Sequence, residues 1–253
     1  MRNATRPWPA PRWPWVLSMT WRHLLFLHWP VPSDILAGHV PGPLELDTFH
    51  GQAWLGLTSF LMTAVRPRLA PPLPGLSRFE ELNLRTYVTV GGRPGVWFFS
   101  LDAAHPIAVR TARVLLGLPY RDARMSLKTD SGRVAFRSER TERRWPPASL
   151  EVEYGPTGPV APSRPGSLEH WLTERYCLYT VLGGGVWRLE IDHAPWPLQP
   201  AAARIQSNTV AAPLGIALAA GQELAHYSRE LRVRAWLPGR VAGKGVRTPG
   251  PSG

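Results

Sequence analysis

The alternating segment from Glu81 to Val90 places complementary polar side chains on one face of a predicted strand. Glu81, Asn83 and Arg85 are spaced two residues apart, and side chains with that spacing project from the same face. A carboxylate, an amide and a guanidinium that project together could orient a small carboxylate or carbonyl ligand. The same alternation is also typical of a half-buried strand whose polar face is solvated, so periodicity alone leaves both interpretations open.

Other sequence patterns with a known chemistry are absent. The chain has no phosphate-binding GxxxxGK[ST] loop, no GxGxxG, no HExxH and no CxxC pair, and its eight histidines are scattered. We therefore predict no metal and no cofactor. Arg175 precedes Cys177 closely enough to activate a thiol, although cysteine is among the most commonly buried residues. Gly183 to Gly185 separates two strand-like segments and predicts a hairpin turn rather than a phosphate cradle.

Composition narrows the class of protein. A single cysteine in 253 residues excludes an intramolecular disulfide, and a cytoplasmic protein is the default prediction. The net charge is +11, and only Lys128 and Lys244 of the 29 basic residues are lysines. The excess of basic residues lies at the two ends and in residues 110–144, where these side chains could bind nucleic acid. Arginine is used in place of lysine across the whole chain, however, so a compositional bias explains the excess equally well. Nucleic acid is not a favoured partner, and the apolar stretch from Trp15 to Trp29 is too short and polar to span a membrane.

The chain divides into three predicted parts. Residues 1–15 form a Pro/Trp-rich arm, residues 16–237 a single domain, and residues 238–253 a disordered basic tail. The arm could bind a proline-recognising module or pack against its own domain. Predicted helices begin near Ser33 and Ser167 and span His105 to Leu116. Predicted strands, apart from that at Glu81, span Leu44 to Phe49, Gln52 to Val65, Val96 to Leu101, Ala123 to Thr129, Arg133 to Arg140, Ser149 to Tyr154, Arg175 to Leu182, Val186 to Asp192 and Ala225 to Leu237.

Short strands with few helices predict an α+β fold dominated by antiparallel sheet. Several segments also strongly resemble the YqjF-like family of bacterial proteins. They include His28-Trp29-Pro30-Val31-Pro32, Glu81-Leu82-Asn83-Leu84-Arg85-Thr86-Tyr87-Val88, Phe98-Phe99-Ser100-Leu101-Asp102-Ala103 and Leu172-Thr173-Glu174-Arg175-Tyr176-Cys177-Leu178-Tyr179. This resemblance covers roughly residues 6 to 237 and implies no particular reaction.

A second resemblance is to acetoacetate decarboxylase. It is carried, in order, by Val40-Pro41-Gly42-Pro43-Leu44-Glu45-Leu46-Asp47, by Val88 to Gly95, by Pro106-Ile107-Ala108-Val109 and by Gly117-Leu118-Pro119. It implies a mainly antiparallel barrel or cone. Acetoacetate decarboxylases form an imine through the first lysine of an adjacent pair, whose pKa a second cation and desolvation lower.

In this chain the lysine pair falls on Tyr120 and Arg121, and neither can form a Schiff base. The resemblance matches a strand glutamate to Glu81 and an N-terminal arginine to Arg22, while a second glutamate falls near Gly56. It thus implies a pocket ringed by Arg22, Glu81, Tyr120 and Arg121, in which Arg121 would lower the pKa of the Tyr120 phenol. Alternatively, Arg121 and Glu81 form a structural salt bridge.

We therefore predict a small-molecule-binding protein or enzyme for an anionic or carbonyl-containing metabolite, without imine-forming decarboxylation. Glu81 and Tyr120 are the catalytic candidates, and the ligand-binding candidates are Arg22, Glu81, Asn83, Arg85, Tyr120 and Arg121. The alternative is an interaction protein that docks a partner through its arm and basic ends. A homo-oligomer is left open by the sequence.

Overall fold

Strands dominate the computed structural model, which describes residues 6–72, 75 and 77–241. The strands are β1 (Leu17–Val31), β2 (Glu45–Leu46), β3 (Ala53–Pro67), β4 (Phe79–Val90), β5 (Arg93–Ala103), β6 (Tyr120–Asp130), β7 (Arg133–Arg140), β8 (Ser149–Pro156), β9 (Cys177–Leu182), β10 (Gly185–His193), β11 (Gln199–Asn208), β12 (Leu224–Ala235) and β13 (Gly239–Arg240). The helices α1 (Ser33–Ala37), α2 (Pro106–Leu116) and α3 (Leu168–Thr173) are short, and a 3₁₀ turn spans Ala212–Leu214. The predicted class, mainly antiparallel sheet with a few short helices, is confirmed.

Strands β1, β3, β4, β5, β9, β10 and β12 pair in that order and close into a barrel. The closing contact joins β10 to β12 through residues 191–193 and 233–235. Neighbouring strands of the barrel run antiparallel except β5 and β9, which pair in parallel. The β9–β10 hairpin turns at Gly183 and Gly184, whose positive φ angles of 57° and 71° suit glycine.

A second sheet of β6, β7, β8 and β11 covers one side of the barrel. It branches from the barrel at β5, which pairs with β6, and returns at β12, which pairs with β11. The main hydrophobic core fills the space between the two layers. Leu25, Leu57 and Leu82 on the barrel wall belong to the same buried cluster as Phe136 and Val152 on the second sheet.

Both faces of β4 are buried, because the second sheet covers the outside of the barrel. Leu82 and Leu84 face outward into the main core. Glu81, Asn83 and Arg85 face inward and line the barrel cavity. The predicted alternation is therefore correct, and the polar face of this strand lies inside the protein rather than in solvent.

Irregularities in β1 and β3 explain why their sequences lack a clean strand period. Residues 17, 19 and 21 face the cavity, but after His23, whose φ is +53°, Leu24 and Phe26 face it instead. The pairing of β1 with β3 shifts register at the same place. In β3 the irregularity is at Ala64, whose φ is +51°, so that the cavity-facing positions change from Met62 before it to Val65 after it. Such bulges re-aim the side chains that follow them.

In three segments the structure has strands that the sequence analysis did not predict. No strand is predicted for the stretch that forms β1, and none is predicted for the alanine-rich segment that forms β11. Residues 239–240 of the predicted tail pair with β10, and residues 242–253 lie outside the described residues. In the described ranges, no helix combines the length and the apolar character needed to cross a membrane.

Candidate functional site

The barrel contains a cavity of about 590 Å³ whose walls are mainly apolar. Aromatic side chains form much of one wall: Trp21 stacks on Trp196 with ring centroids 5.9 Å apart, and Phe26 meets Trp196 edge-on at 4.9 Å. A cavity of this size, with a few polar groups set in an apolar wall, is typical of a small-molecule site.

Glu81 contributes a buried carboxyl group to the lining of this cavity. Its side chain is 2% exposed, the Tyr120 hydroxyl donates a hydrogen bond to its Oε2 at 3.1 Å, and the Asn83 side chain hydrogen-bonds it as well. Burial raises the pKa of the Glu81 carboxyl to about 7, against the smaller lowering effects of those hydrogen bonds. The carboxyl can therefore both accept and release a proton near neutral pH, as a general acid or base must.

Tyr120 shares the cavity with Glu81, but its environment differs from the sequence-based expectation. Burial, followed by the negative charge of Glu81 and the hydrogen bond to it, holds the pKa of the Tyr120 phenol well above 10. The expected lowering by Arg121 is wrong, because adjacent residues of a strand project to opposite faces. Tyr120 is thus a hydrogen-bond donor that keeps its proton.

Arg121 lies on the outer face of β6 and does not line the cavity. Its guanidinium lies 3.5 Å from the centroid of the Trp145 ring and donates to the Tyr120 carbonyl at 2.8 Å. Burial lowers the pKa of Arg121 to about 10, so it stays charged at neutral pH. The suggested salt bridge between Arg121 and Glu81 is not formed, because the two side chains face opposite sides of the barrel wall.

Arg22 also lies outside the cavity. Its side chain is 46% exposed, and its Nη2 pairs with Glu230 of the neighbouring strand β12 at 2.8 Å. Arg22 directly precedes the bulge at His23, and the cavity-facing positions on either side of it are Trp21 and Leu24. Although Arg22 matches an N-terminal arginine of acetoacetate decarboxylase in sequence, its guanidinium does not enter the cavity.

Arg85 supplies a cation to the cavity instead. Its guanidinium lies 5.6 Å from the Phe26 ring and 5.8 Å from the Tyr87 ring, and its Nη2 donates to the Leu172 carbonyl at 3.4 Å. Its buried Nε has no hydrogen-bond partner. Gly56 makes room for this side chain, because a Cβ there would lie 3.3 Å from the Arg85 Cγ.

Another arginine, Arg175, is buried, lines the cavity and was not among the predicted ligand-binding residues. It forms an ion pair with Asp47 at 2.7 Å, donates to the Trp171 carbonyl at 2.7 Å and lies 4.8 Å from the Tyr87 ring. Its Nη2 is buried without a hydrogen-bond partner. The sequence showed Arg175 only as a neighbour of Cys177, and nothing in local spacing connects it to β4.

Neither a reactive thiol nor an amine lines the described cavity. Cys177 is buried there, its Sγ contacts the Pro94 carbonyl at 3.4 Å, and burial raises the pKa of its thiol to about 12. Lys128 is exposed on β6, and Lys244 lies outside the described residues. Across residues 6–241 as described, no cluster of three histidine, cysteine or acidic side chains is arranged to hold a metal ion.

The closed barrel has an acetoacetate-decarboxylase-like fold. The enduracididine biosynthesis enzyme MppR complexed with pyruvate superposes with a TM-score of 0.61 at 14% identity, over 91% of this chain and 92% of that chain. Acetoacetate decarboxylase from Legionella pneumophila superposes with a TM-score of 0.61 at 12% identity, over 95% of each chain. At such low identity the likeness shows the fold alone, and it confirms the fold that the sequence resemblance implied.

The chain belongs to the family DUF2071, described as an uncharacterized conserved protein, whose model matches residues 18–232. It is 42% identical over 222 residues to the uncharacterized protein YqjF of Bacillus subtilis (strain 168), covering 88% of this chain and 91% of that protein. The predicted membership of the YqjF-like family is confirmed.

Proposed function

We propose that this protein binds a small carbonyl-containing carboxylate in its barrel cavity and moves a proton on it by acid–base chemistry that needs no imine. The observation that carries the proposal is the buried Glu81 carboxyl, with a pKa of about 7, bonded to Tyr120 inside an apolar cavity. A general base acts best when its pKa lies near the operating pH. The bound pyruvate of the structurally similar MppR supports a ligand of this class.

The step follows from the two side chains. The ionised Glu81 carboxylate removes a proton from the carbon beside the ligand carbonyl, and the electron pair moves to the carbonyl oxygen. Once Glu81 has taken up the proton, the Tyr120 hydroxyl, whose pKa is well above 10, turns from the Glu81 carboxyl and donates its hydrogen bond to the resulting enolate oxygen. Glu81 then returns the proton to carbon, and Arg85 holds the ligand carboxylate throughout.

The proposal is tested by proton exchange. In D₂O, the protons beside the carbonyl of pyruvate or 4-oxopentanoate should be replaced by deuterium, seen as loss of their proton NMR signals. We expect the Glu81→Gln variant to lose this exchange by roughly 100-fold or more. Glu45 is exposed on β2, so Glu45→Gln is the matched control and should exchange at the wild-type rate. Exchange that is equal in both variants, or absent in the wild type with both acids, contradicts the proposal.

The alternative, a docking role for the N-terminal arm, has weaker support. Arg6 contacts Glu190, and the Trp8 Nε1 donates to the same carboxylate at 2.9 Å. Trp15 lies 5.5 Å from the Arg66 guanidinium, whereas Trp13 is exposed. Since the described part of the arm is engaged by its own domain, it is better suited to stabilising the barrel than to capturing a partner.

A further inference from the structure

Glu81 and Arg85 line the cavity at two positions that are well separated along β4. A strand rises about 3.3 Å per residue, so their Cα atoms are roughly 13 Å apart along β4. Glu81 meets Tyr120 on β6, whereas Arg85 reaches the Leu172 carbonyl at the end of α3. The cavity therefore has an acid–base end at Glu81 and a cationic end at Arg85.

Polar atoms in this cavity have unmet hydrogen-bonding capacity. The Oδ1 of Asn83, the Nε of Arg85 and the Nη2 of Arg175 are buried and have no partner. Asn83 and Arg175 are each only 6% exposed. Buried polar groups are usually satisfied, so this set is what a polar ligand would complete.

The charges at the cationic end favour one carboxylate rather than two. Arg175 is paired with Asp47 at 2.7 Å, which compensates its charge. Within the ranges that the structure describes, Arg85 forms no salt bridge. One uncompensated guanidinium in an apolar cavity matches one carboxylate.

The cavity also favours a ligand larger than pyruvate. Its volume of about 590 Å³ falls in the range that buries a drug-sized molecule. The wall between its two ends is apolar and aromatic, with Phe26 lying 5.6 Å from the Arg85 guanidinium and 4.9 Å from the Trp196 ring. A ligand that contacts both ends would cover this wall with its own apolar part.

We infer that the ligand is an elongated oxo acid, in which an apolar body separates a carboxylate bound by Arg85 from a carbonyl group that meets Glu81 and Tyr120. The inference rests on the proposed function and narrows it to a class of substrate. Aromatic keto acids and medium-chain oxo acids have this form. Acids whose carbonyl lies directly beside the carboxylate do not.

Isomeric ligands test whether the carboxylate and the carbonyl group of the ligand must be far apart. In 4-acetylbenzoate the ketone and carboxylate are at opposite ends of the ring, and in 2-acetylbenzoate they are adjacent. Titration calorimetry on the full chain should show 4-acetylbenzoate binding about 10-fold or more tightly than 2-acetylbenzoate, pyruvate or the uncharged 4-acetylbenzamide. These comparisons use the wild-type protein, so they do not depend on the folding of a variant.

A variant pair locates the carboxylate. Arg85→Gln should remove the preference for 4-acetylbenzoate over 4-acetylbenzamide. Arg137, exposed on β7 and paired with Glu151, gives the charge-matched control Arg137→Gln, which should retain the preference. If 2-acetylbenzoate or pyruvate binds as tightly as 4-acetylbenzoate and binding still needs Arg85, the elongated ligand is wrong while a carboxylate site stands. If none of the acids binds saturably, the proposed function fails as well.

Discussion

The Tyr120 hydroxyl donates to Oε2 of Glu81 at 3.1 Å, and the strand β5 runs between the two strands that carry these residues. Tyr120 occupies the place where the resemblance to acetoacetate decarboxylase would put an imine-forming lysine. The cavity thus has a hydrogen-bonded phenol and carboxyl group in place of an amine nucleophile.

Glu81 makes the stability of the protein depend on pH. Its folded pKa of about 7 lies above the ordinary value of 4.5 for a glutamate, so its contribution to stability is fully present below about pH 4.5 and is lost as the pH rises to about 7. Glu81→Gln does not titrate. Its free energy of unfolding relative to wild type should therefore rise by about 2 to 3 kcal/mol between pH 5 and pH 8. Urea denaturation at the two pH values measures the free energies of unfolding, with Glu45→Gln as the control. If the difference between Glu81→Gln and wild type is the same at both pH values, the prediction is wrong.

Removal of the Tyr120 hydroxyl should raise the pKa of Glu81 further. The hydrogen bond from Tyr120 lowers that pKa, and Tyr120→Phe leaves only the hydrogen bond from Asn83. Carbon NMR of the labelled glutamate carboxyl follows the titration. Arg22→Gln, which changes a residue outside the cavity, should leave the Glu81 titration as it is. An unchanged or lowered pKa in Tyr120→Phe would show that the hydrogen bond does not act on the carboxyl.

Cys177 should be unreactive in the folded protein. Its pKa of about 12 leaves almost no thiolate at neutral pH, and the side chain is 1% exposed. Labelling with a disulfide reagent at pH 8 should therefore be slow in buffer and complete in denaturant. Rapid stoichiometric labelling of the native protein would contradict the burial of the thiol and return Cys177 to the candidate nucleophiles.

Keto acids should form no imine with this protein. The chain has two lysines, of which Lys128 is exposed on β6. After incubation with 4-oxopentanoate and sodium borohydride, mass spectrometry should find no adduct on a lysine peptide. The variant with Lys128→Arg and Lys244→Arg should exchange ligand protons as fast as wild type. A specific lysine adduct, or loss of exchange in the double variant, would restore imine chemistry.

The sequence predicted the shared face of Glu81, Asn83 and Arg85, because alternation along β4 is a local property. It did not predict that this face lies inside, since the cover on the other face comes from β6, β7, β8 and β11, which follow later in the chain. The resemblance to acetoacetate decarboxylase also predicted that Tyr120 lies beside Glu81, as it does in the structure. It did not predict that Arg121, the next residue of the strand, points to the opposite face.

The remaining differences have tertiary causes. Burial on both faces and a bulge at His23 removed the strand period from β1. Because Trp21 faces the cavity, the alternation of the strand points the neighbouring Arg22 away from it. Arg175 reaches the cavity only because β9 pairs with β5, which brings it towards Tyr87 and Asp47. No local pattern contains these contacts, so sequence reasoning had no means of grouping Arg175 with Arg85.

Equilibrium dialysis with 4-oxopentanoate tests the central claim, that the barrel cavity binds a carboxylate through Arg85. We predict saturable binding to the wild type and to Arg137→Gln, and binding weakened about 10-fold or more in Arg85→Gln with its fold intact by circular dichroism. Equal affinity in the two arginine variants, or no saturable binding to the wild type, would contradict it.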